Sequence, residues 1–119
     1  MPQTHIEMHI RHFSPAISII DIEGDLSATA EPVLMDAYTQ ASTPTTHIIM
    51  LNFARLDYMN SSGIGLLVTL LIRINRQKQH LLCYGLSEHY QHIFKLTRLS
   101  DVIKLYATED EAVTAAQAH

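Results

Sequence analysis

The residues best suited to chemistry in this chain lie in Asp57-Tyr58-Met59-Asn60-Ser61-Ser62-Gly63, where an amide and two hydroxyls precede a strongly apolar run. An α-helix leaves its first N–H groups without intrahelical partners, and Asn or Ser at its start accepts from them. Asn60 or Ser61 can therefore cap the helix that follows, with Ser62 beside them. Hydrolysis by Ser61 or Ser62 would need a base and an orienting acid, and Ser62-Gly63 is no part of a Gly-x-Ser-x-Gly elbow, so no enzyme is expected. Gly63-Ile64-Gly65 is half of a dinucleotide fingerprint, without the third glycine or a preceding strand, and the chain has no Gly-Lys-Ser/Thr. The histidines are scattered: His5 and His9 fall about 13 Å apart along a strand, and His89 and His92 share a helix face without a third ligand. Neither a metal nor a cofactor is expected, and Cys83 reads as a small core hydrophobe.

The elements that must position this segment follow from periodicity. His5 to Arg11 alternates polar and apolar, as an edge strand with one wet face does. A turn at Ser14-Pro15 leads to Ile17–Ile22, apolar on both faces, and the two strands form a hairpin. Gly24-Asp25-Leu26-Ser27 breaks the pattern, and Thr29 with Glu31 and Pro32 predicts a capped helix to about Ala41. Thr46–Leu51 is a buried strand, Asn52–Asn60 a loop, and Ser62 to Lys78 a second helix. His80–Tyr84 is a strand, Ser87 caps a helix through about Leu96, Val102–Tyr106 is a last strand, and the capping box from Thr108 to Glu111 opens a final helix. The order β-β-α-β-α-β-α-β-α predicts an α/β fold with a mixed, mostly parallel sheet of about five strands and four helices. The 119 residues suit one domain spanning 1–119, with a frayed Ala-rich end.

Composition narrows the function classes. Hydrophobic residues make up 47% and charged ones 17% of the chain, which supports a packed core and argues against disorder. A net charge of −4 without a Lys/Arg cluster removes the electrostatic footprint of a nucleic-acid binder. The single cysteine fits a reducing compartment. The N-terminus lacks the apolar region of a signal peptide, and Ile64–Ile72 is too short to insert in a bilayer, so a cytoplasmic protein is expected.

Leu56-Asp57-Tyr58-Met59-Asn60-Ser61-Ser62-Gly63-Ile64-Gly65 closely resembles the switch motif of STAS-domain anti-sigma-factor antagonists, an aromatic-apolar-Asp-Ser-Ser-Gly-apolar-Gly run. His47–Asn52 is similar to the strand before that motif, Gly24-Asp25-Leu26 with Thr29-Ala30-Glu31 to the family's first strand-to-helix junction, and Leu81-Leu82-Cys83 and Phe94 to Leu105 to its last third. The resemblance implies a single STAS domain that binds an anti-sigma factor with serine kinase activity. It also implies that Ser61 is phosphorylated by that partner and restored by a serine phosphatase, and that the unphosphorylated form regulates transcription indirectly by freeing a sigma factor. Asn60 stands where the family has Asp. It keeps the capping oxygen but removes a charge, which either eases the phosphate or deletes a group the kinase reads.

The remaining site residues are expected around this motif. Gly63 and Gly65 read as close-approach positions and Met59 as a partner contact, and the resemblance at the first strand-to-helix junction implies Asp25 as another. The helical wheel puts Ile64, Leu67, Val68 and Leu71 on one face and Leu66 and Leu70 on its shoulder, where they meet either a neighbouring helix or a partner. Oligomeric state is left open, a dimer included. The other reading is a STAS scaffold or accessory subunit, stressosome-like or transporter-associated, acting by constitutive protein binding.

Overall fold

The computed structural model describes residues 5–118. Its elements are β1 (Ile6–Ser14), β2 (Ile17–Leu26), α1 (Glu31–Ala41), β3 (Ile48–Met59), α2 (Ser61–Arg76), β4 (His80–Tyr84), α3 (Glu88–Leu96), β5 (Lys104–Tyr106) and α4 (Glu109–Gln117), with 3₁₀ turns at Ala28–Ala30 and Leu99–Asp101. The order matches the one expected from periodicity. One sheet runs β1-β2-β3-β4-β5, with β1 antiparallel to β2 and the other neighbours parallel. Parallel neighbours require crossovers, and α1, α2 and α3 supply them.

Side chains alternate along a strand, so the continuous apolar runs of β2, β3 and β4 serve both faces of the sheet. On one face Ile20, Leu51, Phe53 and Cys83 pack with Leu34 and Tyr38 of α1, Leu67 and Leu70 of α2, and Phe94 of α3. On the other, Ile19, Met50 and Leu82 pack against Ala112 and Ala116 of α4.

Several boundaries differ from expectation, each for a local reason. β2 continues past Gly24 to Leu26, and Asn52–Asn60 is no loop: β3 runs on to Met59. Beyond Asn52 the strand leaves β4 and pairs with β2 alone, setting Asp25 opposite Tyr58 and Leu26 opposite Met59 through two register shifts. The polar residues that suggest a loop belong to this extension, in which β3 has β2 on one side and no strand on the other. Thr29 does not cap α1; its hydroxyl lies 3.0 Å from that of Ser27, and Ala30 precedes the helix without a side-chain cap. α2 begins one residue early and ends at Arg76, because Lys78 adopts a left-handed φ of 58°. β5 starts at Lys104, since the Ile103 N–H donates back to the Leu99 carbonyl at 2.8 Å and Val102 closes the turn. Ser87 and Thr108 cap α3 and α4 as expected, although Glu111 accepts from Ala107 instead of from its own cap residue.

Docking of α4 is aided by a polar network at the sheet surface. Arg11 donates to both Asp21 oxygens at 2.7 and 2.8 Å and to Glu109 at 2.7 Å, while Asn52 donates to Asp21 and the Tyr84 hydroxyl to Glu109. Burial pushes the Asp21 carboxyl up, but the bonds from Arg11 and Asn52 outweigh it and leave it below the usual carboxylate range. The Arg11 bond, then that of Tyr84, holds Glu109 low as well. Folded-state values below the unfolded ones mean stability that is present above the carboxylates' unfolded values and lost as pH falls through the folded ones.

At the start of α2, two glycines differ in what surrounds them. A Cβ on Gly63 would press into the Leu26 carbonyl oxygen, whereas one on Gly65 would meet nothing within 4 Å. The expected close approach therefore holds at Gly63 and fails at Gly65, which faces open space. Substituting Ala for a helical Gly gains up to about 1 kcal/mol, and overpacking against fixed backbone costs about 1–3 kcal/mol. Denaturant melts should accordingly show Gly63→Ala destabilised by about 1–2 kcal/mol net and Gly65→Ala stabilised by up to about 1 kcal/mol; equal effects would contradict the packing. For the network, Arg11→Ala should cost about 1 kcal/mol at pH 7, a modest figure because these charges are partly exposed. That cost should fade below about pH 4, and a cost unchanged at pH 3 would contradict the assignment.

Candidate functional site

The start of α2 resolves which residue caps it. Asn60 is in extended conformation, φ −98° and ψ −178°, and its Oδ1 accepts from the Gly63 N–H at 2.9 Å. Its carbonyl accepts from the Ile64 N–H at 3.0 Å, and its own N–H donates to the Leu26 carbonyl at 3.3 Å. Asn60, not Ser61, is the cap. Ser61 and Ser62 become the first two helical residues, both exposed, and neither hydroxyl is hydrogen-bonded among the described residues. By helix geometry their N–H groups are the ones left without intrahelical partners, at the end where the dipole favours an anion.

This rim is fixed from below. The Met59 N–H donates to the buried Tyr90 hydroxyl at 2.9 Å, tying the end of β3 to α3. The Met59 side chain is buried in the main core, so it forms the floor of the rim and is not available as a partner contact. Asp25, opposite Tyr58 in the ladder, is half-buried, and its N–H donates to the His5 carbonyl at 2.7 Å. The ends of β2 and β3 and the start of α2 therefore meet at one edge of the molecule.

Leu66 and Leu70 are also core residues, so the shoulder reading resolves against an exposed patch. The buried face of α2 is centred on Leu66, Leu67, Leu70 and Ile74, a rotation of the wheel expected from periodicity. Its outward stripe is Ser61, Gly65, Val68 and Ile72, spaced four, three and four residues apart as one helix face requires. Val68 is 38% and Ile72 48% exposed, and Tyr58 beside the cap is 52% exposed. Sequence reasoning placed Val68 inside and gave Tyr58 no role of its own. The available signal was Gly63: a helical glycine next to a cap marks the face that approaches backbone. A nucleotide has no support here, because although β3 does precede the helix, Val68 stands where the third fingerprint glycine would fall.

Comparison with known proteins places this fold in a family. Residues 10–112 match the model of the STAS domain family. An anti-sigma-B factor antagonist of Staphylococcus epidermidis is 30% identical over 84 residues, covering 71% of this chain and 78% of that protein. Among solved structures, an anti-sigma factor antagonist from Mycobacterium paratuberculosis superposes with a TM-score of 0.81 at 17% identity, covering 95% of both chains. The Bacillus cell fate determinant SpoIIAA, in its phosphorylated form, superposes with a TM-score of 0.66 at 21% identity, covering 92% of this chain and 99% of that one. The order of the elements, the capped start of α2 and the family match over most of the chain lead to one conclusion: this chain belongs to the STAS domain family.

Proposed function

We propose that this protein is an anti-sigma-factor antagonist, a non-enzymatic cytoplasmic regulator that binds an anti-sigma factor through the outward stripe of α2 and releases it when Ser61 is phosphorylated. The observation that carries the reading is the exposed Ser61 hydroxyl, free of hydrogen bonds to other described residues, in the first helical position beyond a cap made by its neighbour. A relative 30% identical over most of the chain bears the name of an anti-sigma-B factor antagonist, and a structural neighbour has been solved phosphorylated.

The energetics favour a change of surface over a change of fold. A phosphate brings about −1.5 to −2 charges, and a helix N-terminus stabilises nearby anions by about 0.3–1 kcal/mol. Asn60 brings no charge to that helix end and its side chain takes only the Gly63 N–H, and the N–H groups of Ser61 and Ser62 remain for phosphate oxygens. Ser61 is exposed, so a phosphate there meets solvent in the free protein. Within an interface, however, a desolvated phosphate without a partner costs several kcal/mol, equivalent to roughly tenfold to thousandfold weaker binding. The apolar contacts would come from Val68 and Ile72, with Tyr58 and Asp25 flanking. A serine phosphatase would restore the binding form, and the kinase activity would reside in the partner.

Incubation with an anti-sigma factor of the same organism and ATP should place one phosphate, mapped by mass spectrometry, on Ser61. Pull-downs should retain the partner with Ser61→Ala and lose it with Ser61→Asp. Phosphate confined to other residues would contradict the switch, and a partner indifferent to both substitutions would favour the constitutive scaffold. Val68→Asp should weaken binding at least about tenfold, as loss of an apolar contact and burial of a charge imply, with an unchanged melting profile. Unaltered affinity would remove the α2 stripe from the interface.

A further inference from the structure

The exposed face of the β1–β2 hairpin, opposite the face that α2 covers, carries an arrangement of a different kind. Glu7 and Glu23 stand directly opposite each other in the antiparallel ladder. Like charges so placed destabilise a strand pair. His9, two residues beyond Glu7, projects from the same face, and one ligand atom each from Glu7, His9 and Glu23 lie within 4.8 Å of one another. The His9 Nε2 is 3.7 Å from one Glu7 oxygen and the His5 Nε2 3.7 Å from the other.

The nearby cations do not offset the two carboxylates. Arg11, next on this face, is bound to Asp21 and Glu109. Arg55 lies in register with Glu23 on β3, yet no ion pair joins them. The backbone beneath the cluster is fixed. The Asp25 N–H donates to the His5 carbonyl at 2.7 Å, and Gly24, with φ 101°, admits that carbonyl where a Cβ would collide with it.

We propose that Glu7, His9 and Glu23 bind one Zn²⁺ ion across the hairpin. Imidazole together with carboxylates suits zinc, whereas magnesium and calcium prefer all-oxygen shells. The ion neutralises the opposed glutamates and ties the edge strand β1 to β2. Sequence spacing along one strand missed this site because the decisive ligand, Glu23, arrives from the neighbouring strand.

Isothermal titration of the untagged full chain with ZnCl₂ should show saturable binding of one ion per chain and no heat of binding with MgCl₂. His9→Ala and Glu23→Gln should each weaken zinc binding by about tenfold or more, while His89→Ala and His92→Ala leave it unchanged. Glu23→Gln also removes the like-charge opposition, so its zinc-free form should melt no lower than the parent and remain a valid probe. Absence of saturable binding, affinity unchanged in Glu23→Gln, or affinity lost in the His89 or His92 variants would overturn the assignment.

Discussion

The contact on which the functional end of this molecule depends is the approach of Gly63 to the Leu26 carbonyl. β2 and β3 run on past β4 and β5, and α2 turns back over their end. That turn is tight enough that the Leu26 carbonyl accepts from the Asn60 N–H and also lies where a side chain on residue 63 would be. With the helix start seated there, Asn60 can cap only in its extended geometry, and Ser61 must be the first helical residue, facing outward. The Tyr90 hydroxyl then holds Met59 from the other side. Backbone constraints, more than side-chain chemistry, present the serine.

The same constraint separates what the helix uses for folding from what it offers outside. Gly63, Leu66, Leu67, Leu70 and Ile74 make its inner face, and Ser61, Gly65, Val68 and Ile72 its outer stripe. A modification or partner on the outer stripe acts on solvent-facing atoms while the core under it stays packed. Interiors packed to crystal-like density resist small distortions, so a charge added at Ser61 is expressed as altered surface chemistry. On the second face of the sheet Arg11, Asp21 and Glu109 help seat α4, and the opposed Glu7 and Glu23 lie farther along the same hairpin, toward Asp25.

Much of this was legible in the sequence. The element order, the mixed sheet, the edge strand and the caps at Ser87 and Thr108 follow from periodicity and capping chemistry, and the segment around Ser61 was identifiable by its resemblance to a known motif. What escaped depended on tertiary partners. Arg55 and Asp57 read as loop residues because one sequence does not reveal that β2 runs alongside them. Leu66 and Leu70 lie in an apolar arc so broad that periodicity alone could not fix its centre, and Val68 was assigned inward for the same reason. Asn60 and Ser61 were equivalent as caps until the backbone angles distinguished them. Gly65 resembled Gly63 in sequence and differs from it only in what lies across from it.

The central claim is that Ser61 carries a phosphate on a helix start that is already built, so that the surface changes and the fold does not. Two-dimensional amide NMR of the protein with and without phosphate on Ser61 measures this directly. Shifts should be confined to the rim, from Tyr58 to Gly65 and around Asp25 and Leu26, with the amides of Ile49, Leu51 and Phe94 unmoved. Shifts spread through those core amides would contradict it.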